Sequence, residues 1–180
     1  MTFKIEEKWL SDYDADDHHN CVDSYFEDYK GYLNNMNRSL QRKECISGIN
    51  RMKRAHHWTC KGFGITVMEG DVCFADFGHS YINECSFQHF ALVLKYFHGK
   101  AFVIPMTSNE TTVQLAKHGA RSHLYYLGKL KGLDKDTCLF INDGRFINTA
   151  RIISINAHLD SESCTYQEIC KIYEKFFMIE

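Results

Sequence analysis

The sequence predicts an α+β fold that is mainly β: a small antiparallel barrel with an N-terminal helical extension and a C-terminal helix. Helical periodicity is confined to the two ends of the chain, and six short segments typical of strands lie between them. Because no helical segment separates those strands, a parallel α/β sheet is disfavoured. The 180 residues are 44% hydrophobic and include a single proline, which excludes a largely disordered chain.

Two helices are predicted in the N-terminal extension. The first carries one apolar stripe at helical spacing, made of Val22, Tyr25, Phe26, Tyr29, Leu33 and Met36. The second is basic and has Leu40, Ile46, Ile49 and Met52 as its apolar positions. We therefore assign residues 1–62 to the helical extension and residues 63–180 to the β domain.

The strand segments are rich in β-branched and aromatic residues and are separated by glycine-containing connections. They are residues 71–77, 90–97, 100–106, 123–127, 137–141 and 145–148. His98-Gly99 predicts a tight hairpin between the second and third strands. No further helix is predicted until the C-terminus, where Thr165 and Glu168 have the spacing of a capping box.

The charge distribution is strongly asymmetric. Residues 1–28 hold nine acidic and two basic residues, whereas residues 29–62 hold eight basic residues and one acidic residue, Glu44. Such blocks are typical of a helical hairpin with mutually neutralising solvated faces, or of a segment that meets a charged partner. A built-in regulator is a further possibility, in which residues 1–62 cover a cleft and the acidic segment 12–28 occupies it in place of an anionic ligand.

No apolar run approaches the roughly 18–20 residues of a membrane span, and the acidic start is unlike a signal peptide. We therefore expect a soluble, cytoplasmic protein with no membrane partner. The eight cysteines include no CxxC pair and are expected to be mostly buried thiols. His18, His19 and Cys21 with His56, His57 and Cys60 form two loose zinc half-sites, but their spacing matches no standard site. Neither a metal nor a cofactor is therefore expected.

Four ordered segments of the β domain resemble the motifs of the MazF/PemK (Kid) family of bacterial toxin–antitoxin ribonucleases. Residues 70–72, Gly-Asp-Val, and residues 75–78, Ala-Asp-Phe-Gly, resemble the first strand of the family. Residues 83–93 resemble its "E-Q-x-x-x-R-P-A-L-V" motif. Residues 103–108, Val-Ile-Pro-Met-Thr-Ser, resemble "V-x-P-(I/V)-T-S", and 142–151 resemble "D-Q-x-R-T-I-D-x-x-R". The resemblance covers about residues 65–178.

The resemblance implies an SH3-like barrel that forms a homodimer, is inhibited by a cognate antitoxin and cleaves single-stranded RNA, typically mRNA, without a metal. Such cleavage needs a base for the ribose 2′-OH, a group that stabilises phosphorane charge, and an acid for the leaving oxygen. Where the family has the R-P arginine this chain has His89, which titrates near neutral pH but lacks the bidentate fork of arginine.

The candidate catalytic residues follow from these motifs: His89, Thr107, Arg145, His79 and Asp143. Each has a plain structural alternative. His89 is also typical of a core or interface histidine, and Thr107 at a strand end is typical of a turn cap. Arg145 is equally typical of a surface ion pair worth ~0–1 kcal/mol.

A second set of residues is expected to bind RNA: Ser108, Asn142, Phe87, Tyr81, Arg51, Lys53 and Arg54. The aromatic side chains would stack on unpaired bases, although packing in the core is the usual role of aromatics near strands. The basic residues would neutralise phosphates without reading the sequence, unless they dock on the acidic block instead. The alternative function is a non-catalytic module of the same fold that binds a protein target, as CcdB-like relatives bind gyrase, or binds RNA.

Overall fold

The structure is a computed structural model that describes residues 15–177. It divides into two compact units, Met1–Lys43 and Glu44–Glu180. The expectations for residues 1–14, and those for the side chains of His18, Phe176 and Phe177, lie outside the described residues. The division into 1–62 and 63–180 stays a prediction. No helix within residues 15–177 has the length and apolar character that a membrane span requires.

Both predicted N-terminal helices are present, as α1 (Ala15–Asn34) and α2 (Arg38–Arg54). Asn37 caps α2, because its side-chain oxygen accepts a hydrogen bond from the backbone N–H of Leu40 at 3.0 Å. Tyr25 and Tyr29 lie one turn apart on α1 and stack with their ring centroids 5.7 Å apart. The aromatic part of the predicted stripe therefore shares one helix face.

Seven antiparallel strands form the sheet, and the six predicted strands are among them. They are β1 (Asp71–Asp76), β2 (Gln88–Phe97), β3 (Lys100–Thr107), β4 (Leu124–Gly128), β5 (Thr137–Phe140), β6 (Arg145–Asn148) and β7 (Ile152–His158). The strand order is β4-β5-β3-β2-β1-β7, and β6 pairs with β3. The predicted fold class is therefore confirmed. The barrel differs in one respect: no pairing within residues 15–177 joins β4 to β7, so the sheet is not closed.

The turn between β2 and β3 forms as the sequence predicts. His98 and Gly99 have φ angles of 46° and 80°, as a two-residue turn of the type favoured in hairpins requires. Phe97 pairs with Lys100 directly across this turn, and the ladder continues to Ala91 and Pro105 with one register shift. The local turn residues therefore fix the register of the two longest strands.

The core lies on both faces of the sheet, and neighbouring residues of one strand belong to opposite faces. Leu92 and Ile104 pack in one cluster with Ile169 of α4 (Cys164–Phe177), whereas Val93 and Val103 pack in the other cluster. All five side chains are fully buried. Each such aliphatic side chain stabilises the fold by about 1.5–3 kcal/mol.

The helix predictions need two corrections. A third helix, α3 (Glu110–Lys117), follows β3, whereas the sequence predicted none before the C-terminus. It has only eight residues and two buried apolar positions, so its periodicity is weak, although Asn109 caps it. The cap of α4 is Ser163, whose Oγ accepts from the N–H of Tyr166 at 3.2 Å, and not Thr165 as predicted.

Candidate active site

A cavity of about 450 Å³ brings together polar side chains from three separate parts of the chain. We call it the α2 cavity. One wall is the C-terminal half of α2, and the others are the start of the β1–β2 connection and the turn at Thr149–Arg151. Its charged and imidazole side chains are those of Glu44, Arg51, Arg54, His57, Asp76, His79 and Arg151. Of the predicted site residues, it holds His79, Arg51 and Arg54.

His79 is held in the α2 cavity by a buried carboxylate. Its Nδ1 lies 2.7 Å from Oε2 of Glu44, and the Glu44 side chain is only 9% exposed whereas that of His79 is 40% exposed. Since a carboxylate only accepts, Nδ1 is the donor in this contact and carries a proton. The pair therefore fixes the orientation and tautomer of the imidazole, and Nε2 is the nitrogen that would take a proton.

Asp76 anchors the walls of the α2 cavity to one another. Its buried carboxylate accepts hydrogen bonds from Ser47 Oγ at 2.8 Å, Asn50 Nδ2 at 3.0 Å, Gln88 Nε2 at 2.8 Å and Gly78 N at 3.0 Å. Burial raises the pKa of the Asp76 carboxyl, but these four bonds outweigh burial and hold the pKa below its ordinary value. Asp76 thus joins α2, β2 and the residue before His79.

The three arginines of the cavity differ in their contacts and exposure. Arg54 donates from Nη1 to the carbonyls of Ala150 and Ile152, at 3.1 and 2.9 Å, and lies 4.1 Å from the ring centroid of Phe63. Its guanidinium therefore ties α2 to the turn before β7, and its role in RNA binding stays a prediction. Arg51 and Arg151 are exposed and line the cavity, and Arg151 also donates to the Asp76 carbonyl at 3.2 Å.

Asp143 and Arg145 form an ion pair beside the β1–β2 connection. Asp143 also accepts a 2.6 Å hydrogen bond from the N–H of Cys85, and Arg145 lies 3.7 Å from Glu84. Burial, followed by the charge of Asp143, raises the pKa of the Cys85 thiol to about 12, so this thiol is no nucleophile at neutral pH. The pair tethers the connection, and Asn142 is exposed on the same turn.

The two aromatic residues predicted to stack on bases differ in exposure. Tyr81 is 87% exposed on the β1–β2 connection. Phe87 is only 6% exposed, and its ring lies edge-on to that of His79 with the centroids 5.4 Å apart. Phe87 is therefore much less accessible to a base than Tyr81 is, and the base-stacking roles of both residues stay predictions.

His89 and Thr107 do not share a cavity in this structure. The β2–β3 ladder pairs Ala91 with Pro105, so His89 and Thr107 each lie two residues beyond its end. Thr107 and Ser108 line a second cavity of about 350 Å³ with Phe90 and Lys135, and His89 lines neither this cavity nor the α2 cavity. Oγ1 of Thr107 accepts from the N–H of Asn109 at 3.1 Å, which is the turn-cap geometry. The catalytic roles of His89 and Thr107 stay predictions.

Four charged or imidazole residues that line the α2 cavity were not among the predicted site residues: Glu44, His57, Asp76 and Arg151. Glu44 did carry a sequence signal, because it is the one acidic residue in the basic block of residues 29–62. His57 was considered only as part of a zinc half-site. In the part of the chain that the structure describes, no three His, Cys, Asp or Glu residues are grouped as a metal site requires.

Three solved structures similar to this chain come from MazF proteins and an endoribonuclease. MazF (Form-I) from Deinococcus radiodurans is 14% identical with a TM-score of 0.49, over 64% of this chain and 99% of that one. MazE-MazF (Form-II) from the same organism is 16% identical with a TM-score of 0.44, over 64% and 100%. An endoribonuclease in complex with its cognate antitoxin, from a mycobacterial species, is 8% identical with a TM-score of 0.43, over 64% and 100%.

No family model and no curated protein matches the chain. Two of the three solved structures are named MazF or MazE-MazF.

Proposed function

We propose that this chain is a metal-independent endoribonuclease that cleaves single-stranded RNA, and that it acts as the toxin of a toxin–antitoxin system. The observation that carries the proposal is the His79 imidazole, held at 2.7 Å by the buried carboxylate of Glu44 in a cavity that Arg51 and Arg151 also line. A fixed imidazole beside guanidinium groups is what metal-free cleavage of a ribose-phosphate linkage needs.

In the proposed reaction His79 is the general base. Its Nε2 takes the proton of the ribose 2′-OH, and the 2′-oxygen attacks the adjacent phosphorus. The bond from phosphorus to the 5′-oxygen breaks, and this oxygen leaves with a proton from a second acid. His57 lines the same cavity and is our candidate for that acid. The products are a 2′,3′-cyclic phosphate and a 5′-hydroxyl, and each proton transfer contributes about 10²–10⁴-fold to the rate.

Arg51 and Arg151 are assigned to the phosphate. A guanidinium keeps its charge at every physiological pH and offers donors in a planar fork, so it stabilises the oxygens that gain charge in the transition state. Glu44 holds the orientation and tautomer of the His79 imidazole and stabilises the imidazolium that forms, as the carboxylate of a catalytic triad does. Because the attacking group is the 2′-OH, DNA is not a substrate.

The proposed partners follow from the family resemblance. They are single-stranded RNA, with mRNA as the natural source, a cognate antitoxin that blocks cleavage, and a second copy of the chain. Coexpression with the product of a neighbouring small open reading frame tests the antitoxin, and sedimentation of the purified chain tests the homodimer. Relief of growth arrest by that product is the expected result.

A second candidate function is a non-catalytic module that binds a protein target or RNA. Two observations favour it. His89 replaces the arginine of the family motif, and the Thr107 hydroxyl and the Asp143 carboxylate are both engaged in structural hydrogen bonds. The two candidates differ in one outcome, which is whether RNA is cut.

The decisive experiment incubates the purified full chain with single-stranded RNA, and with DNA of the same sequence, in EDTA. We expect discrete RNA fragments that end in cyclic phosphate, and intact DNA. His79→Gln should abolish cutting, and His123→Gln is the matched control because His123 is exposed and lines neither cavity. Intact RNA with the wild type, and with a deletion that lacks residues 1–36 but keeps α2 and the cavity residues, would leave the module as the function.

A further inference from the structure

Trp58 is the most exposed aromatic side chain near the α2 cavity. It is 91% exposed and follows His57, which lines the cavity. Consecutive Cα atoms are 3.80 Å apart, so the indole begins one residue from the cavity wall. Trp58 itself does not line the cavity, but its exposed indole is attached next to a residue that does.

The backbone on both sides of Trp58 is held in place. Thr59 caps the 3-10 turn Cys60–Phe63 by accepting from Lys61 N at 3.3 Å, and Cys60 N donates to Thr149 Oγ1 at 3.3 Å. On the other side, the ring of His57 packs on that of Phe63 with the centroids 4.3 Å apart. An aromatic side chain on a fixed backbone loses little conformational entropy when a ligand binds to it.

The hairpin between β2 and β3 adds a third support. The Thr149 hydroxyl donates to the carbonyl of Gly99 at 2.9 Å. A Cβ at Gly99 would lie 2.9 Å from Cγ2 of Thr59 and 3.4 Å from the carbonyl oxygen of Trp58, so the turn packs directly on this segment. The 58–59 backbone is therefore confined from two directions while the indole remains in solvent.

The charge around Trp58 favours a polyanion as the ligand. Residues 51–61 hold four basic side chains, those of Arg51, Lys53, Arg54 and Lys61, and no acidic one. Proteins that bind single-stranded nucleic acid combine such a basic surface with exposed aromatics on which bases stack. Isolated exposed apolar residues are common, but a supported indole in a basic segment beside a candidate active site fits this pattern.

We propose that Trp58 stacks on a nucleobase next to the phosphate held in the α2 cavity, and so provides the base-binding platform of the RNA site. The inference rests on the proposed function. It names a binding residue that lies in the N-terminal extension, outside the segments that resemble the family. Stacking tolerates every base, so Trp58 contributes affinity and positions the RNA without reading its sequence.

The test measures binding separately from cleavage. The chain has two tryptophans, so a Trp9→Phe variant leaves Trp58 as its only indole. This variant is titrated with a 2′-O-methyl oligoribonucleotide, which lacks the attacking hydroxyl, while indole fluorescence is recorded. We expect saturable quenching. In the wild-type background we expect Trp58→Ala to raise Kd about 5- to 100-fold and Trp58→Phe to restore most of the affinity.

Phe146→Ala is the matched control, because Phe146 is 60% exposed and lines neither cavity, and its Kd should be unchanged. An unchanged Kd for Trp58→Ala overturns the inference. So does a change in sedimentation of that variant without a change in Kd, which would assign the indole to a contact between copies. If ordinary RNA stays uncut while the methylated oligomer quenches the indole fluorescence, the cleavage proposal is wrong and the proposal that Trp58 binds a base is still supported.

Discussion

Glu44 of α2 and His79 of the β1–β2 connection lie 35 positions apart in the sequence, and their side chains meet at 2.7 Å. The carboxylate is buried whereas the imidazole reaches solvent at the cavity mouth. The contact makes α2 a part of the proposed site, although α2 lies outside the family-like segments. Our first prediction follows from it.

Glu44→Gln keeps the size of the side chain and removes its charge. We expect kcat to fall about 10- to 100-fold, because an amide stabilises an imidazolium less well and no longer fixes a single tautomer. The rate of RNA cleavage and the melting temperature, measured on the same preparation, check this. A wild-type rate for a folded Glu44→Gln protein would exclude the pair from the chemistry.

Asp76 is expected to make stability depend on acidity. Its pKa is lower in the folded chain than in the unfolded one, so its contribution is fully present above about pH 4 and is lost as pH falls through the folded-state pKa. Asp76→Ala leaves several hydrogen-bond donors without an acceptor, which should cost about 1–3 kcal/mol at pH 7.

Urea unfolding at a series of pH values checks the prediction for Asp76. The difference between wild type and Asp76→Ala should shrink as the solution is made more acidic. A difference that stays constant from pH 7 to pH 3 would show that the Asp76 carboxylate is not the titrating group.

Arg51 and Lys53 are neighbours on α2 with different placements. Arg51 lines the cavity, whereas Lys53 is exposed outside it. We expect Arg51→Ala to lower kcat/KM about 10- to 100-fold, and Lys53→Ala to lower it only a few-fold through weaker long-range attraction of phosphates. Cleavage rates at two salt concentrations separate the effects, and equal losses in both variants would contradict the assignment of Arg51 to the phosphate.

Replacing His89 distinguishes between two candidate active sites, the end of β2 that the family motif implies and the α2 cavity. If the α2 cavity is the active site, His89→Ala should retain cleavage within about tenfold of the wild type, because a residue outside the site acts only through packing. His79→Ala is the comparison and should be inactive. Complete loss in His89→Ala with restoration in His89→Arg would transfer the chemistry to the end of β2, as the family motif implies.

Phe87→Ala and Tyr81→Ala should differ strongly in their effect on the free energy of unfolding. Removing the buried ring in Phe87→Ala should cost about 3–5 kcal/mol of unfolding free energy. Tyr81→Ala, at an exposed position, should change it by less than about 0.5 kcal/mol. Chemical denaturation of both variants checks the pair, and a marginal effect for Phe87→Ala would mean that this ring is not part of the core.

The site could be predicted only in fragments. The sequence indicates His79 through its place in the loop after Gly78 and Arg51 through the basic block, but it gives no reason to place the two side chains in one cavity. Glu44 and His57 belong to no sequence motif, because their place in the cavity depends on contacts with residues far away in the sequence. Phe87 was assigned to RNA because strand aromatics of the core and of a binding face look alike in sequence.

The order of residues along the chain was enough to determine the antiparallel strands, the His98-Gly99 turn and the two N-terminal helices, because each depends on neighbours within a few positions. The sequence did not predict α3, because a helix of eight residues shows too little hydrophobic periodicity. Only the tertiary structure brings the His79 imidazole to the Glu44 carboxylate, through the long-range packing of α2 and the β1–β2 connection around Asp76. The hydrogen bonds of Asp76 to Asn50 and Ser47 span 26 and 29 residues of sequence, and no local pattern encodes them.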